Sequence, residues 1–346
     1  MTSGTDRLRI AHVLLTSRFA GTERHAVELA NAQAAQGHDV TLVLRRAGAE
    51  DRPDAIAHRV DANVRIVQVG NLLAWWHARR ALRRIAPDVA HAHLSAACRA
   101  LAGWRTTALR VATLHIRYKP KQHARLDGLI AIAPWQFDAI PDALRQRTVQ
   151  IDNWTLPQSP STDGRARLRA EQGLAPDAFV FGALGRVERS KGLDVLVAAW
   201  RRAALPADAR LVIVGQGREW ARVRALAPPD VVMPGFASAP RDWLQAFDVF
   251  CSAARSEPFG LVLLEAMDAG LPILASASEG ASHLQDVIGA PLVRVGDADA
   301  FASALRAAYA SRPARRSYPM ERFRIDGKRA EIEAFYRRLL PLPRRQ

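Results

Sequence analysis

The sequence predicts an α/β protein of two domains, each an open parallel sheet covered by helices. Three observations carry this. The chain has 346 residues, too long for one typical domain and suited to two of roughly 100–200 residues each. Short runs of Ile, Val, Leu and Ala alternate with segments of helical periodicity, as doubly buried parallel strands alternate with crossover helices. The alternation stops once, at a stretch rich in Pro, Ser, Thr, Asp and Gly, and then restarts.

Each element follows from its residues. Leu8–Leu15 is an apolar strand with little alternation. A turn with Gly21 leads into a helix over Thr22–Gln36, and Gly37 is its C-cap. Asp39–Leu44 and Val64–Val69 are strands. Leu72–Ile85 is a helix ended by Pro87, and Asp88–His93 is the fourth strand. Val111–His115 and Gly128–Ile132 are further short strands, and Ile151–Gly164 reads as the linker. The second half opens with strand Phe179–Leu184 and helix Gly192–Ala204. Strands Arg210–Val214, Val231–Met233, Val249–Ser252 and Pro272–Ala275 follow. They alternate with helices Trp220–Leu226, Ala239–Phe247 and Gly260–Ala269, and helices Ala298–Ala310 and Glu321–Leu340 close the chain. Two such halves enclose a cleft, and ligands of open α/β sheets sit at the carboxyl ends of strands.

Composition excludes several classes. Cys98 and Cys251 are the two cysteines and match no metal or redox spacing, so neither a disulfide framework nor a zinc ribbon is expected. A reducing cytoplasm is the expected compartment. No apolar run approaches the ~18 residues of a spanning helix. The apolar stretch Ile10–Leu15 is short for a signal peptide, and Arg18 stands where cleavage would occur. The formal net charge is +15, and only four of the 49 basic residues are lysines. Such a balance leaves nucleic acid, an anionic membrane face and phosphorylated substrates all open.

Three segments can carry chemistry. In Gly185-Arg186-Val187-Glu188-Arg189-Ser190-Lys191-Gly192, a buried strand meets a helix start. Backbone N–H groups there favour an anion, and Arg186 and Lys191 add two cations. The Walker A order is absent. In the second segment Glu257 and Glu265 are spaced E-x7-E around Pro258-Phe259-Gly260-Leu261. A loop carboxylate can accept from sugar hydroxyls, and one on the first helical turns can take a ribose diol. Two helix-start acids serving the dipole are the plain alternative. Glu265 lies within an apolar run, where a buried acid needs partners. In the third segment, around Gly21, backbone can approach a ligand closely. Gly215-Gln216-Gly217 is a Gly-x-Gly turn without the third glycine of a dinucleotide fingerprint.

His91 and His93 share a strand face, but no carboxylate or cysteine stands near enough in sequence to complete a metal set. His115 ends a strand, where a ligand should lie. Arg117, Lys119, Lys121, His123 and Arg125 crowd the next loop and could receive an anionic acceptor. Trp75, Trp76, Arg79, Arg80, Arg83 and Arg84 share one helix; a membrane interface and a packed helix with a solvated arginine face both fit.

Together these segments resemble the retaining, nucleotide-sugar-dependent glycosyltransferases of the GT-B fold, glycosyltransferase group one. The late Glu-x-x-Gly-x-x-x-x-Glu-Ala signature is matched by Glu257, Gly260, Glu265 and Ala266. The Gly-Arg…Lys-Gly loop is matched by Gly185, Arg186, Lys191 and Gly192. The Asp-Val-x-His-x-His strand is matched by Asp88, Val89, His91 and His93, and the Gly-x-Glu-Arg helix start by Gly21, Glu23 and Arg24.

The resemblance implies two Rossmann-like domains facing a cleft. They are an acceptor-binding domain over 1–155 and a nucleotide-sugar-binding domain over 165–320, with a helix over 321–346 crossing back to the first. Arg186 and Lys191 would hold the donor diphosphate. Glu257 would face the donor sugar and Glu265 the ribose. His115 would sit near the reaction centre. Gly21, Gly185 and Gly215 would approach the donor, Gly235 and Phe236 would lie by the base, and Phe259, Gly260 and Leu261 would complete the donor site. The acceptor would meet Arg117, Lys119 and Lys121. The resemblance implies a UDP- or GDP-sugar as co-substrate and no metal or other cofactor. The acceptor would be a glycan or lipid-linked molecule, such as lipopolysaccharide core, at the inner membrane face, with no specific nucleic acid.

Departures from the family pattern are Ala20 for a glycine, Ala253-Ala254 for Pro-Ser, Glu279-Gly280 for Gly-Gly, and His283 for a later Glu. Three rivals stand on the sequence: a nucleotide-sugar epimerase, which would act without acceptor, a non-catalytic nucleotide-sugar-binding subunit, and a nucleic-acid binder, which charge alone suggests and no binding module supports.

Overall fold

The structure, a computed structural model, describes residues 7–340 except 18, 53–54, 158–160 and 238. Arg18 and the middle of the expected linker lie outside the described residues. The chain divides into two compact units. Residues up to Trp154, with those from Phe323 onward, form the first; Thr155–Arg322 form the second.

The first unit is built on seven parallel strands: β1 (Arg9–Leu14), β2 (Asp39–Arg45), β3 (Arg65–Val69), β4 (Val89–His93), β5 (Leu109–Leu114), β6 (Gly128–Ala131) and β7 (Thr148–Gln150). Their order is β3-β2-β1-β4-β5-β6-β7. Direction of winding reverses between β1 and β4, so the switch-point crevice of this sheet lies beyond their carboxyl ends. Side chains alternate across the pleat. Ala11, Val13, Ala90, Ala92, Ala112 and Leu114 share one apolar core. Ile10, Val89 and Val111 face the other way, with Ile332, Phe335 and Tyr336 of helix Ile325–Leu339. Gly128 permits that docking, because a Cβ there would run into Leu339 and Phe335.

The second unit is a five-stranded parallel sheet of β8 (Phe179–Leu184), β9 (Ala209–Val214), β10 (Val231–Gly235), β11 (Val249–Ser252) and β12 (Ile273–Ala275). Its order is β10-β9-β8-β11-β12, so winding reverses between β8 and β11.

The structure differs from the sequence reading in several places. The expected linker begins inside the first core, where Ile151 and Trp154 are buried. Its apolar residues outweigh the turn chemistry around them. The expected closing helix over 321–340 is a 3₁₀ turn, Met320–Phe323, and then helix Ile325–Leu339. Arg324 is extended there, at the point where the chain returns to the first unit. Helix Ala74–Ile85 begins two residues later than expected because Leu73 is left-handed, with φ 47°. Strand β7 and helices Leu94–Ala102 and Gly164–Glu171 were not expected.

Candidate functional site

In the second unit the loops beyond β8, β9, β10 and β11 are laced together by backbone. Gly185 N–H donates to the Val214 carbonyl at 3.0 Å, Val187 N–H to Gln216 at 3.0 Å, and Gly215 N–H to Gly235 at 2.7 Å. Arg255 N–H reaches the Ser190 carbonyl at 2.7 Å. These approaches need glycine. Gly215 has φ 134°, and a Cβ on it would collide with the Gly185 carbonyl. Gly192 has φ 61°, and a Cβ on it would strike the Ala253 carbonyl.

The lacing brings the predicted charged residues together. Lys191 Nζ donates to Glu257 Oε2, joining the loop after β8 to the loop after β11. Arg186 lies on the same loop, mostly exposed, with Glu188 at 3.0 Å. Glu279, a departure from the family pattern, has a bracing role. Its carboxylate accepts from Glu257 N–H at 3.1 Å and from Ser256 Oγ at 3.3 Å. Gly280 N–H donates to the Glu257 carbonyl at 2.7 Å. Arg255 forks onto Asp194 at 2.7 and 3.0 Å and holds its carboxyl below the usual range. Sequence reasoning assigned Arg255 and Asp194 no role; their pairing across 61 positions left no local signal.

Other predicted residues take distinct positions. Gly260 has φ 95° and caps helix Leu261–Asp268, which buries Glu265. The Phe259 side chain is buried, 5.7 Å from the His283 ring, so only its backbone remains for a ligand. Gly235 ends β10, and the next residue, Phe236, is 75% exposed. An aromatic ring left in water at strand ends is suited to stacking.

In the first unit Gly21 opens helix Gly21–Ala35, just beyond β1. His115 follows β5 and joins a set of five buried histidines: His12 on β1, His25 on the helix after it, His91 and His93 on β4, and His115. His12 Nε2 lies 2.7 Å from Gln33 Oε1, and His12 Nδ1 lies 3.1 Å from His93 Nε2. His93 Nδ1 lies 3.1 Å from His115 Nε2. His91 bonds separately, to Tyr336 at 2.7 Å and Thr113 at 2.8 Å. His25 stacks on Trp154 at 4.0 Å and meets His115 edge-on at 4.9 Å; neither of its ring nitrogens has a hydrogen-bond partner.

Burial disfavours the imidazolium form. It lowers His12 to about 4 and His115 to about 3. Desolvation, then neighbouring histidines, hold His25, His91 and His93 well below the usual value. Sequence spacing offers His91 and His93 no carboxylate or cysteine partner, and the residues that meet them are other histidines. Among the described residues His12-His91-His93 and His25-His93-His115 each bring three ligand atoms within 4.8 Å of one another. The partners come from other elements, which sequence spacing does not reveal.

The basic loop is also corrected. Lys121 and His123 lie on a short helix, Pro120–His123. His123 is buried, accepts from Lys119 N–H at 2.9 Å and is lowered to about 4, so it adds no charge. Arg117, Lys121 and Arg125 are exposed, and Lys119 is half-buried. On helix Ala74–Ile85, Arg79 is tied to the Ala100 and Arg99 carbonyls at 2.8 and 2.9 Å and stacks over Trp75 at 4.7 Å. Arg80, Arg83 and Arg84 stay exposed, with Trp76 and the preceding Leu72 and Leu73.

Comparison with known proteins bears on the family and the fold. The pattern described as Glycosyl transferases group 1 matches residues 178–311, and that of Glycosyltransferase Family 4 matches residues 19–179. The chain belongs to the group 1 glycosyltransferases. This glycosyltransferase is 28% identical to the lipopolysaccharide core biosynthesis glycosyltransferase LpsE of Rhizobium meliloti, over 82% of its own chain and 84% of that relative. It is 34% identical to a D-inositol 3-phosphate glycosyltransferase of Xylanimonas cellulosilytica, over 54% of its own chain and 44% of the relative. The crystal structure of Anabaena HepE with UDP and glucose superimposes with a TM-score of 0.77 at 20% identity, covering 95% of this chain and 99% of that one. The two parallel-sheet units therefore have the GT-B fold. No helix among the described residues is long and apolar enough to cross a membrane.

The buried histidines give the enzyme a sign-specific pH dependence. Their folded pKa values lie below the ordinary 6.5. Between pH 6.5 and about 4 the unfolded chain binds protons that the folded chain refuses, so stability falls as pH falls. Urea unfolding across pH 7 to 5 should show uptake of at least about two protons, a slope of about 2.8 kcal/mol per pH unit near pH 5. A flat profile would contradict neutral burial.

Proposed function

We propose that this enzyme moves a sugar from a UDP- or GDP-sugar to a glycan or lipid-linked acceptor of the cell envelope, with retention at the anomeric carbon and without a metal. The observation that carries this reading is the pair of cations, Arg186 and Lys191, on glycine-laced loops at the β8/β11 switch point, with Glu257 on Lys191. Arg186 and Lys191 bind the diphosphate and offset the charge it gains on leaving, the electrostatic term that dominates such catalysis. They supply the charge that a divalent cation supplies elsewhere.

Glu257 accepts from donor-sugar hydroxyls, and Glu265 takes the ribose diol. Gly185, Gly215, Gly260 and Leu261 offer backbone to the nucleotide. Gly235 and Phe236 flank the base, and Phe259 contributes its main chain. Gly21 lets the first unit's backbone approach the phosphate or acceptor, and His115 meets the sugar. Arg117, Lys119 and Lys121 receive the acceptor. In the reaction the acceptor oxygen bonds to the anomeric carbon on the face from which the phosphate oxygen departs. The departing phosphate oxygen takes the acceptor's proton.

HepE, crystallised with UDP and glucose, supports a uridine diphosphate donor. The part LpsE takes in lipopolysaccharide core biosynthesis supports a lipopolysaccharide core acceptor. Leu72, Leu73 and Trp76 beside Arg80, Arg83 and Arg84 support peripheral binding at an anionic, cytoplasmic membrane face.

Two measurements test the reading. Thermal melting of the purified protein in EDTA, with a panel of UDP- and GDP-sugars, should reveal one stabilising donor. Lys191→Ala should weaken that donor at least about tenfold, as loss of a charged hydrogen bond predicts. Stabilisation only on adding a divalent cation, or an unchanged affinity in Lys191→Ala, would contradict it. In vesicle flotation, Arg80→Ser with Arg83→Ser and Arg84→Ser should abolish binding to phosphatidylglycerol vesicles and leave donor affinity unchanged. Unaltered flotation would refute the membrane part.

A further inference from the structure

Gln33, His12, His93 and His115 form one continuous line of hydrogen bonds through the first unit. Gln33 lies on helix Gly21–Ala35, His12 on β1, His93 on β4 and His115 beyond β5. A hydrogen bond between two neutral imidazoles has one donor and one acceptor, and each neutral ring carries one proton. Fixing the proton at one end therefore fixes it in every ring.

The fixed end is Gln33. As placed, its side-chain oxygen faces His12 and can only accept, while its Nε2 is buried without a hydrogen-bond partner. At 2.7 Å it takes the proton of His12 Nε2. His12 Nδ1 is then bare and accepts from His93 Nε2–H. His93 Nδ1 is bare in turn and accepts from His115 Nε2–H. His115 is left with a bare Nδ1, and among the described residues no hydrogen-bond donor reaches that atom.

We propose that Gln33, through His12 and His93, is a positioning residue that fixes His115 as the Nε2–H tautomer, so that His115 Nδ1 presents a lone pair to a substrate hydroxyl. The inference rests on the reading that His115 meets the donor sugar. A lone pair accepts from a hydroxyl and repels a phosphate or carbonyl oxygen. The device thus selects hydroxyl over phosphate at this point of the site. The three ring dipoles also run in one direction, with the negative end toward His115 Nδ1, which suits the positive charge that develops at an anomeric carbon.

Neutrality of all three rings is required, and burial imposes it. Hydrogen bonds occupy every ring nitrogen of the His12-His91-His93 triplet, and both nitrogens of His93 in the His25-His93-His115 triplet. Of the rings in the two candidate triplets, only His25 has both nitrogens without a hydrogen-bond partner. His91 is outside the line, because Tyr336 and Thr113 hold it. It serves as an internal control.

The test is long-range ¹H–¹⁵N NMR of the full-length protein with ¹⁵N-labelled histidine at pH 7.5, without donor. His12, His93 and His115 should each give the shift pattern of the Nε2–H tautomer. Gln33→Glu keeps an acceptor and should keep all three patterns. Gln33→Met removes it, and His115 should lose its single-tautomer pattern while His91 keeps its own. An Nδ1–H tautomer or an imidazolium at any of the three in the wild type overturns the proposal. So does a Gln33→Met spectrum identical to wild type. If Gln33→Met does not fold, the wild-type spectrum decides alone. A shift of these rings by one equivalent of Zn²⁺, reversed by EDTA, would replace the line with a metal site and also overturn it. Donor melting is measured in parallel, so failure of the line and failure of the donor reading are separate results.

Discussion

Close approach of backbone to backbone, allowed only where a side chain is missing, is the constraint on which the second unit depends. Gly215 lies against the Gly185 carbonyl and Gly192 against the Ala253 carbonyl. Each approach draws two loops from different strands to one place. Arg186 and Lys191 ride on the first loop, and Glu257 rides on the loop after β11. Without these contacts the loop with the two cations and the loop with Glu257 would be independent, solvated turns, where a charge pair contributes little. With them the charges are set in advance of any ligand, which is the condition under which electrostatics serves a departing phosphate well. Arg255 on Asp194 and Glu279 on Glu257 N–H secure the same loops from behind.

The first unit follows a different logic. A sheet face covered by helices Gly21–Ala35 and Ile325–Leu339 would ordinarily be filled with aliphatic side chains. Here it holds His12, His91, His93 and Thr113 beside Ile10, Val89 and Val111, with Tyr336 of the second helix packed on them. Burying imidazoles is costly unless their nitrogens are bonded. The set meets that cost by bonding ring to ring and ending on Gln33, Tyr336 and Thr113. A polar layer of this kind tolerates fewer arrangements than an aliphatic one, because each bond constrains its neighbour. It ends at His115, at the carboxyl end of β5.

What the sequence disclosed follows from how local each signal is. β8 and the Gly185–Gly192 loop were legible because the apolar run, the glycines and the cations are contiguous. Helix Leu261–Asp268 was legible for the same reason. β7, Thr148–Gln150, was not, since three polar-flanked residues at a sheet edge carry no period. Helix Gly164–Glu171 looks like charged linker because only Gly164, Leu168 and Arg169 are buried. Arg169 belongs to the interior through Asp248 at 2.7 Å, a partner 79 positions away. The histidine line was hidden most completely. His93 was visible as part of a strand motif, but its neighbours come from elsewhere: His12 from another strand, His115 from the loop beyond β5 and Gln33 from a helix. Spacing in sequence says nothing of such meetings. The loop after His115 carries less charge than its sequence suggests for a related reason: burial of His123 cannot be seen from its neighbours.

Stereochemistry tests the account most directly, because it reports the transfer itself. An α-linked UDP- or GDP-sugar that stabilises the protein would be incubated with it in EDTA and without acceptor. The anomeric proton of the first-formed free sugar would then be read by ¹H NMR before mutarotation. The account predicts the α-anomer, released at a rate unchanged by EDTA. Formation of the β-anomer would contradict same-face transfer, and loss of the reaction in EDTA would contradict the role given to Arg186 and Lys191.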